Sequence, residues 1–394
     1  MKLTIGMAHH EDYHGAIFSI QAIRTSKFYQ ENKDKIEFII VDNSTGSKHS
    51  EALKTFVENS KENINLIPFS ESTGTTQTRE LIFKEASGDA VICMDCHVVF
   101  QEGAIEKLFN FYKENPDTKN LYSGPLLGDN NEVQATQFNL QWRGQMWGIW
   151  GMARECLDCG HKFSFIGSNE WGNDSWGSKT TNTHLYPQKD MYLNMSSFQK
   201  QLNGKCERCG SELKKSKNNI SVISENSEPF QIPANGLGVF SCMKHAWLGF
   251  NENFKEFGGE EGYIHIKYAK AGYKTICLPY LRWWHRFGRP DGVKYLRSLD
   301  SKLKNYIFGF QELGLNLESI RFHFMDQLEM IDQERWDYLV LQCEEMPEHF
   351  AMLMDAPREA YERIRTKNAD GTTTETVRFK NIPKGVRTKT MKVI

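Results

Sequence analysis

The sequence predicts an α/β fold carrying an irregular insertion and a mostly helical C-terminal region. Three observations predict it. Short apolar runs alternate with amphipathic segments over roughly the first 112 residues. Residues 151–225 are rich in Gly, Ser, Asn, Trp and Lys and hold few periodic apolar runs. From Asp291 onward, apolar residues recur at helical spacing. Strand–helix alternation implies a parallel sheet with helices on both faces, and ligands of such sheets gather at the carboxyl ends of strands.

Leu3–Met7 is an apolar run closed by the polar His9–Asp12 loop and reads as a buried strand. Ala16, Ile17, Ile20 and Ile23 then keep helical spacing. Glu37–Val41 is a second strand ending at Asp42-Asn43-Ser44, and Ala52, Phe56 and Val57 mark a second helix. Asn65–Phe69, Thr75–Ala86, Ala90–Met94 and Gly103–Tyr112 continue as strand, helix, strand and helix. Regular patterning returns at Ile232 and runs to His285. Leu296, Leu299, Leu303, Tyr306 and Phe310 share one helical face, and Trp336, Leu339 and Val340 begin another. The expected organisation is 1–150, the insertion 151–225, 226–290 and a helical 291–394.

With 394 residues, 39% hydrophobic and 25% charged, the composition is that of an ordinary globular chain. The net charge of -2 sets no requirement for a polyanionic partner. The tail from Thr376 carries Arg378, Lys380, Lys384, Arg387, Lys389 and Lys392 without an acid and reads as a solvated, frayed terminus. Residues 1–8 suit a first strand better than a signal peptide, no stretch reaches membrane-spanning length, and the simplest expected location is cytoplasmic. No G-x-G-x-x-G or Walker loop follows the first strand, which excludes the common dinucleotide and P-loop sites.

The chemistry centres on Val91-Ile92-Cys93-Met94-Asp95-Cys96-His97. Residues i and i+2 of extended backbone face the same side, so Asp95 and His97 are placed to share one divalent cation. Such a cation neutralises charge building on a diphosphate leaving group. Taken alone, D-x-H fits equally a strand-end acid and imidazole that solvate a turn.

The ordered set is more specific. Asp42-Asn43-Ser44 after a strand, Arg79 in Thr78-Arg79-Glu80-Leu81, and Ala86-Ser87-Gly88-Asp89 before the D-x-H strand resemble family 2 glycosyltransferases. D-x-H itself, Gly236-Leu237-Gly238-Val239, Gly258-Gly259-Glu260-Glu261 and Trp284-His285 are similar to polypeptide N-acetylgalactosaminyltransferases. The resemblance covers 1–150 and 230–290, about half the chain. It implies a GT-A fold, with a Rossmann-like mixed sheet, and transfer of a sugar from a nucleotide-diphosphate donor, by expectation a UDP-sugar, to an acceptor hydroxyl.

The resemblance also implies site roles. Asp42 would accept a hydrogen bond from the nucleotide base, and Ala8 and His9 would line base and ribose. Arg79 would sit near the diphosphate or brace Asp95. Asp95, His97 and His285 would hold the metal, Mn2+ or Mg2+, with diphosphate oxygens and water completing an octahedron. Each has a plainer reading. Asp42 suits a helix cap, Arg79 a surface helix charge, and His285 a core histidine among Trp283 and Trp284. In the Gly-Gly-Glu-Glu segment, Glu261 matches the family's catalytic base, with Glu260 orienting the acceptor. Both also suit the N-terminus of a helix, where the dipole favours acids. Glu261 stands where Asp is usual, and D-x-H occurs in retaining as well as inverting enzymes; the expectation is inversion.

Cys156-Leu157-Asp158-Cys159-Gly160 and Cys206-Glu207-Arg208-Cys209-Gly210 are matched knuckles. Four thiolates in this pattern make a closed tetrahedral zinc site, structural rather than catalytic, in a zinc-ribbon-like insertion. A redox pair or free thiols are the rivals. Lys200, Lys205, Arg208, Lys214, Lys215 and Lys217 give the insertion a basic flank. A stabilised lid is the simpler role for it; a nucleic-acid acceptor with hydroxylated bases is the other. The acceptor classes are thus glycan, lipid-linked sugar, protein or modified nucleic acid. A nucleotidyltransferase of similar fold is the competing activity, and Ala8-His9-His10-Glu11-Asp12 lacks its Gly-rich basic signature.

Overall fold

A computed structural model describes residues 1–60, 62–70, 74–164, 205–206, 208–212, 220–288, 292, 297–344, 361–367, 373–379 and 391–393. The chain divides into two compact units, Met1–Trp336 and Asp337–Ile394.

The first unit begins with the expected alternation: β1 (Leu3–His9), α1 (Tyr13–Arg24), α2 (Lys27–Glu31), β2 (Ile36–Asp42), α3 (Lys48–Glu58), β3 (Ile64–Pro68), α4 (Thr75–Glu85) and β4 (Ala90–Asp95). Helix starts follow local chemistry. Asp12, Ser26 and Ser47 cap α1, α2 and α3 through their side-chain oxygens. Strands β1, β2 and β4 carry apolar residues on both faces because helices cover both faces of the sheet. Gly6 belongs to this packing: a Cβ there would stand 2.1 Å from Ile82 Cγ2 of α4, so only glycine lets the helix lie this close to β1.

The chain continues through β5 (Val98–Phe100), α5 (Ala104–Glu114), β6 (Leu121–Ser123), β7 (Leu126–Leu127), β8 (Val133–Ala135), β9 (Gln137–Arg143) and β10 (Met146–Gly151). Next come β11 (Ala153–Cys156), β12 (Lys162–Ser164), β13 (Ile220–Val222), β14 (Phe230–Ile232), β15 (Val239–Met243), α6 (Glu260–Lys270), β16 (Thr275–Cys277) and β17 (Trp283–His285). The main sheet has eight strands in the order β14-β16-β6-β15-β4-β1-β2-β3. Strands β3, β2, β1 and β4 run parallel, whereas β15 pairs antiparallel to β4. The sheet is therefore mixed, as the GT-A expectation requires and as simple alternation alone does not. A second sheet, β5-β17-β7-β8, carries β17 beside β5 and so returns His285 to the β4 end. Its strands, and the β9–β10 hairpin, are too short or too aromatic for periodicity to have marked them.

Within the insertion, β11 pairs antiparallel with both β12 and β13. Of its basic flank, Lys205 and Arg208 are described; Lys200, Lys214, Lys215 and Lys217 lie outside the described residues, as do Asp291 and Leu296. The expected helices appear as α7 (Leu299–Glu312), α8 (Glu318–Arg321), a π-helical turn over Phe322–Gln327 and α9 (Gln333–Glu344). Leu303, Tyr306 and Phe310 are buried along α7.

The mostly helical reading of 291–394 needs correction at its end. The second unit holds an antiparallel sheet of β18 (Tyr361–Lys367), β19 (Thr373–Phe379) and β20 (Met391–Val393). Thr373-Thr-Glu-Thr-Val-Arg-Phe is dense in β-branched residues, which favour a pleated strand over a helix. Arg378 and Lys392 accordingly sit in strands rather than in a frayed terminus, whereas Lys380, Lys384, Arg387 and Lys389 lie outside the described residues. No helix among the described residues is long and apolar enough to cross a membrane.

Candidate active site

A cleft opens at the carboxyl ends of β1 and β4, where ligands of such sheets bind. Ala8, His9, His10, Asp12, Asn43, Gly74, Thr75, Thr78, Arg79, Asp95, Cys96, His97, Glu256 and Phe257 line it. Asp95 ends β4 and His97 follows in the turn to β5. Antiparallel pairing of His285 with Val98 brings the third residue across from β17. Asp95 Oδ2 lies 3.3 Å from His285 Nε2 and 4.0 Å from His97 Nε2, and the two histidine Nε2 atoms are 3.0 Å apart. Adjacent ligands on an octahedron with bonds of about 2.1 Å stand about 3 Å apart. Two of the three separations match that spacing and the third is wider, so one carboxylate and two imidazoles here suit a single divalent cation.

Charge supports the same arrangement. Burial alone would raise the Asp95 pKa, but hydrogen bonding to His285 and the charges of Arg79, His97 and His285 hold it well below the carboxylate range. Arg79 Nη2 donates to Asp95 Oδ1 and to Leu237 O, each at 3.1 Å, and Arg79 Nη1 lies 3.7 Å from Glu260 Oε1. Only 4% of Arg79 is exposed. Of its two expected placements, the geometry is that of the Asp95 brace.

Asp42 stands differently from its expected contact with a base. It is 2% exposed and accepts hydrogen bonds from His9 Nδ1, Ser44 N, Ser44 Oγ and Ser50 Oγ. Burial opposes its ionisation, yet His9, Ser50 and Ser44 together lower its pKa. Its carboxylate faces the chain's own groups and sets the orientation of His9, which does line the cleft. Nor does Asp42 cap α3, since Ser47 does.

The two adjacent glutamates also separate. Gly259, at φ 97°, turns the chain into α6. Glu260 is 1% exposed; Thr75 Oγ1 donates to its Oε1 at 2.6 Å and Gly258 N to its Oε2 at 2.9 Å. It ties α4 to the Gly-Gly turn through these two hydrogen bonds. Glu261 is half-buried at the first turn of α6. Burial and then the Glu260 charge push its carboxyl up to about 8, against the opposing charges of Arg79 and Lys302.

Residues that no motif marked complete the surroundings. Asn305 Nδ2 donates to Lys255 O and Gly258 O at 2.8 Å, and Lys255 N donates to Asn305 Oδ1 at 2.9 Å, clamping the turn from α7. Trp147 N donates to Tyr306 OH at 2.9 Å, and the Trp147 ring fills the space a Cβ on Gly262 would need. Asp12 accepts from His97 Nδ1 at 2.8 Å and from Arg286 Nη2 at 2.6 Å. Burial opposes its charge as well, but hydrogen bonds from His97 and Arg286 lower its pKa. In the sequence Asp12 shows only as the end of the polar loop after the first strand; its partners lie 85 and 274 residues away.

Away from the cleft, the four knuckle cysteines converge. Cys156 Sγ lies 3.8 Å from Cys209 Sγ, and Cys159 Sγ 3.6 Å from Cys206 Sγ. A tetrahedron with Zn–S bonds of about 2.3 Å has edges of about 3.8 Å. The knuckles are copies: Gly160 N donates to Cys156 O and Gly210 N to Cys206 O, both at 2.7 Å, with φ of 72° and 76° at the two glycines.

The β1–β4 topology, the antiparallel β15 and the cation-competent cluster are those expected of the GT-A fold. Residues 19–159 match the family model described as glycosyl transferase family 2. Over that stretch, about a third of the chain, the sequence is similar to family 2 glycosyltransferases. No curated protein matches it in sequence. The crystal structure of GalNAc-T7 with UDP, GalNAc and Mn2+ is similar at TM-score 0.50 and 12% identity, covering 100% of this chain and 67% of that one. At that identity the likeness is one of fold. The mannosyltransferase PcManGT from Pyrobaculum calidifontis, in complex with GDP-Man and Mn2+, is similar at TM-score 0.41 and 10% identity, over 87% of this chain and 68% of that one. S. aureus TarS 1-349 in complex with UDP-GlcNAc is similar at TM-score 0.44 and 12% identity, over 100% of both chains.

Proposed function

We propose that the protein transfers a sugar from a nucleotide-diphosphate donor, a UDP-sugar by preference, to an acceptor hydroxyl with inversion. The convergence of Asp95, His97 and His285 at the end of β4 carries this reading. These three would hold Mn2+ or Mg2+, which supplies positive charge to the departing diphosphate. The family match supports the transferase chemistry, and the GalNAc-T7 complex, with UDP and Mn2+ bound, supports the donor and metal classes.

The chain's own residues do the rest. Ala8, His9 and Asn43 line the nucleotide end of the cleft, with His9 held by Asp42. Arg79 keeps Asp95 ionised and oriented. Glu261 takes the acceptor proton, its pKa of about 8 lying close enough to neutrality for a general base. Glu260, with Asn305, holds the turn that presents Glu261. Cys156, Cys159, Cys206 and Cys209 would bind structural Zn2+, which would stabilise the insertion by holding its two knuckles together.

Incubation with UDP-sugars and Mn2+ tests the reading. Mn2+-dependent release of UDP, by transfer or slow hydrolysis, is expected. Pyrophosphate release would instead indicate a nucleotidyltransferase, and inert binding of every donor would leave no transferase at all.

A further inference from the structure

Asp12 borders the metal-competent cluster and touches two of the elements that build it. It follows β1, caps α1 through a 3.1 Å hydrogen bond from Gly15 N, and is 7% exposed. Its Oδ2 accepts from His97 Nδ1 at 2.8 Å, and its Oδ1 accepts from Arg286 Nη2 at 2.6 Å. Arg286 is the neighbour of His285, and its backbone N donates to His97 O at 3.2 Å. Cys96 Sγ also faces this side, 3.9 Å from Asp12 Oδ2 and 3.8 Å from His97 Nδ1.

An imidazole that gives its Nδ1 hydrogen to a carboxylate keeps a lone pair on Nε2. His97 Nε2 is the atom that faces Asp95 and His285. The two histidines differ here. His285 Nδ1 is buried without a hydrogen-bond partner among the described residues. Its ring packs against Phe287, with centroids 4.0 Å apart and the planes tilted by 40°, on the strand that continues into Arg286.

We propose that Asp12 is a positioning residue that fixes the Nδ1–H tautomer of His97 and, through Arg286, the approach of β17, so that both imidazoles present Nε2 to one cation. The inference rests on the metal reading above for its consequence, but the tautomer itself is a property of the metal-free protein. Partners of this kind, one bond removed from the metal, typically change metal affinity by about 10–100-fold when lost.

Asp12→Asn separates positioning from folding. Asparagine caps helices as well as aspartate does, so α1 keeps its start. With its oxygen serving Gly15 N and Arg286, the substituted amide turns an N–H toward His97 Nδ1. Nδ1 must then accept, and the ring hydrogen moves to Nε2, where it removes the lone pair a cation needs.

Two measurements decide it. 15N NMR of the metal-free wild-type protein at alkaline pH should show His97 protonated at Nδ1 and bare at Nε2, and Asp12→Asn should reverse this. Mn2+ titration followed by EPR of the free ion should show affinity about 10–100-fold weaker in Asp12→Asn, with unchanged far-UV circular dichroism and activity partly restored by excess Mn2+. A wild-type His97 protonated at Nε2 overturns the proposal whatever the metal does. So does a folded Asp12→Asn protein that binds Mn2+ as tightly as wild type. Failure of wild type itself to bind Mn2+ would sink the metal reading and leave the tautomer result standing on its own.

Discussion

The two metal-competent clusters are built in opposite ways. The cysteine cluster joins two nearly identical local turns, each complete within five residues, and needs the chain only to bring them together. The cleft cluster takes its ligands from the ends of β4 and β17, steadies them with Arg79 from α4 and Asp12 from before α1, and has no local version of itself. One cluster would hold its surroundings together, and the other is held together by them. Removing a ligand should therefore have different consequences in the two places.

The largest effect is expected at the cleft. Asp95→Ala and His97→Ala should each lower turnover by about a thousandfold or more, since charge stabilisation by a metal is worth several kcal/mol. Zinc content and melting temperature should stay close to wild type. Kinetics beside elemental analysis checks both halves, and full activity of either variant breaks the comparison.

Glu261→Gln should cost about 10²–10⁴-fold in transfer while donor binding, read by calorimetry, persists. The same variant tests the pH behaviour. With its pKa raised from 4.5 to about 8, Glu261 keeps its proton in the folded state over a window where the unfolded chain has lost it. Its contribution to stability is fully present below pH 4.5 and declines as pH rises toward 8, while the wild-type rate climbs over the upper part of that window. Glu261→Gln should flatten this part of the stability profile, and an unchanged slope would remove the proposed shift.

Zinc removal should act on the insertion first. Cys209→Ser, or a chelator of picomolar zinc affinity, should abolish zinc binding and loosen the knuckles, seen as faster amide exchange at Cys156–Gly160, with the Asp95 cluster still able to bind Mn2+. Parallel loss of Mn2+ binding would show that the two clusters are not independent. The smallest effect is expected for Lys302→Met. Lys302 is 6% exposed and its charge opposes proton retention by Glu261. The rising limb of the pH–rate profile should move to higher pH, lowering the rate at about pH 7 by less than about tenfold.

This contrast also explains what could be read from the chain before its structure. The knuckles were legible because their geometry is local: Cys, Cys and a glycine at positive φ recur at fixed spacing. The alternation from β1 to α5 was legible because each element buries an apolar face of regular period. Asp95 and His97 were visible as neighbours on one strand end, and His285 only through a resemblance. The roles of Asp12, Asn305 and Tyr306 were not legible, because they depend on partners brought close by the sheet and by α7. Glu260 shows the converse. Its motif was plain, but only packing reveals that Thr75 and Gly258 occupy its carboxylate. Helical spacing around Leu303 and Trp336 does not reach the strands at 361–393, where β-branched residues rather than an apolar period carry the signal.

The insertion leaves and re-enters the host through paired strands: Arg154 faces Val222 and Cys156 faces Ile220. Its two roots thus stand about one strand spacing apart, roughly 4.8 Å. A loop whose ends already meet can grow, shrink or be exchanged at a cost that rises only with the logarithm of its length. The doorway at β11 and β13 makes this stretch a replaceable module, so descendants of this chain can alter what they carry there while the cleft keeps its shape.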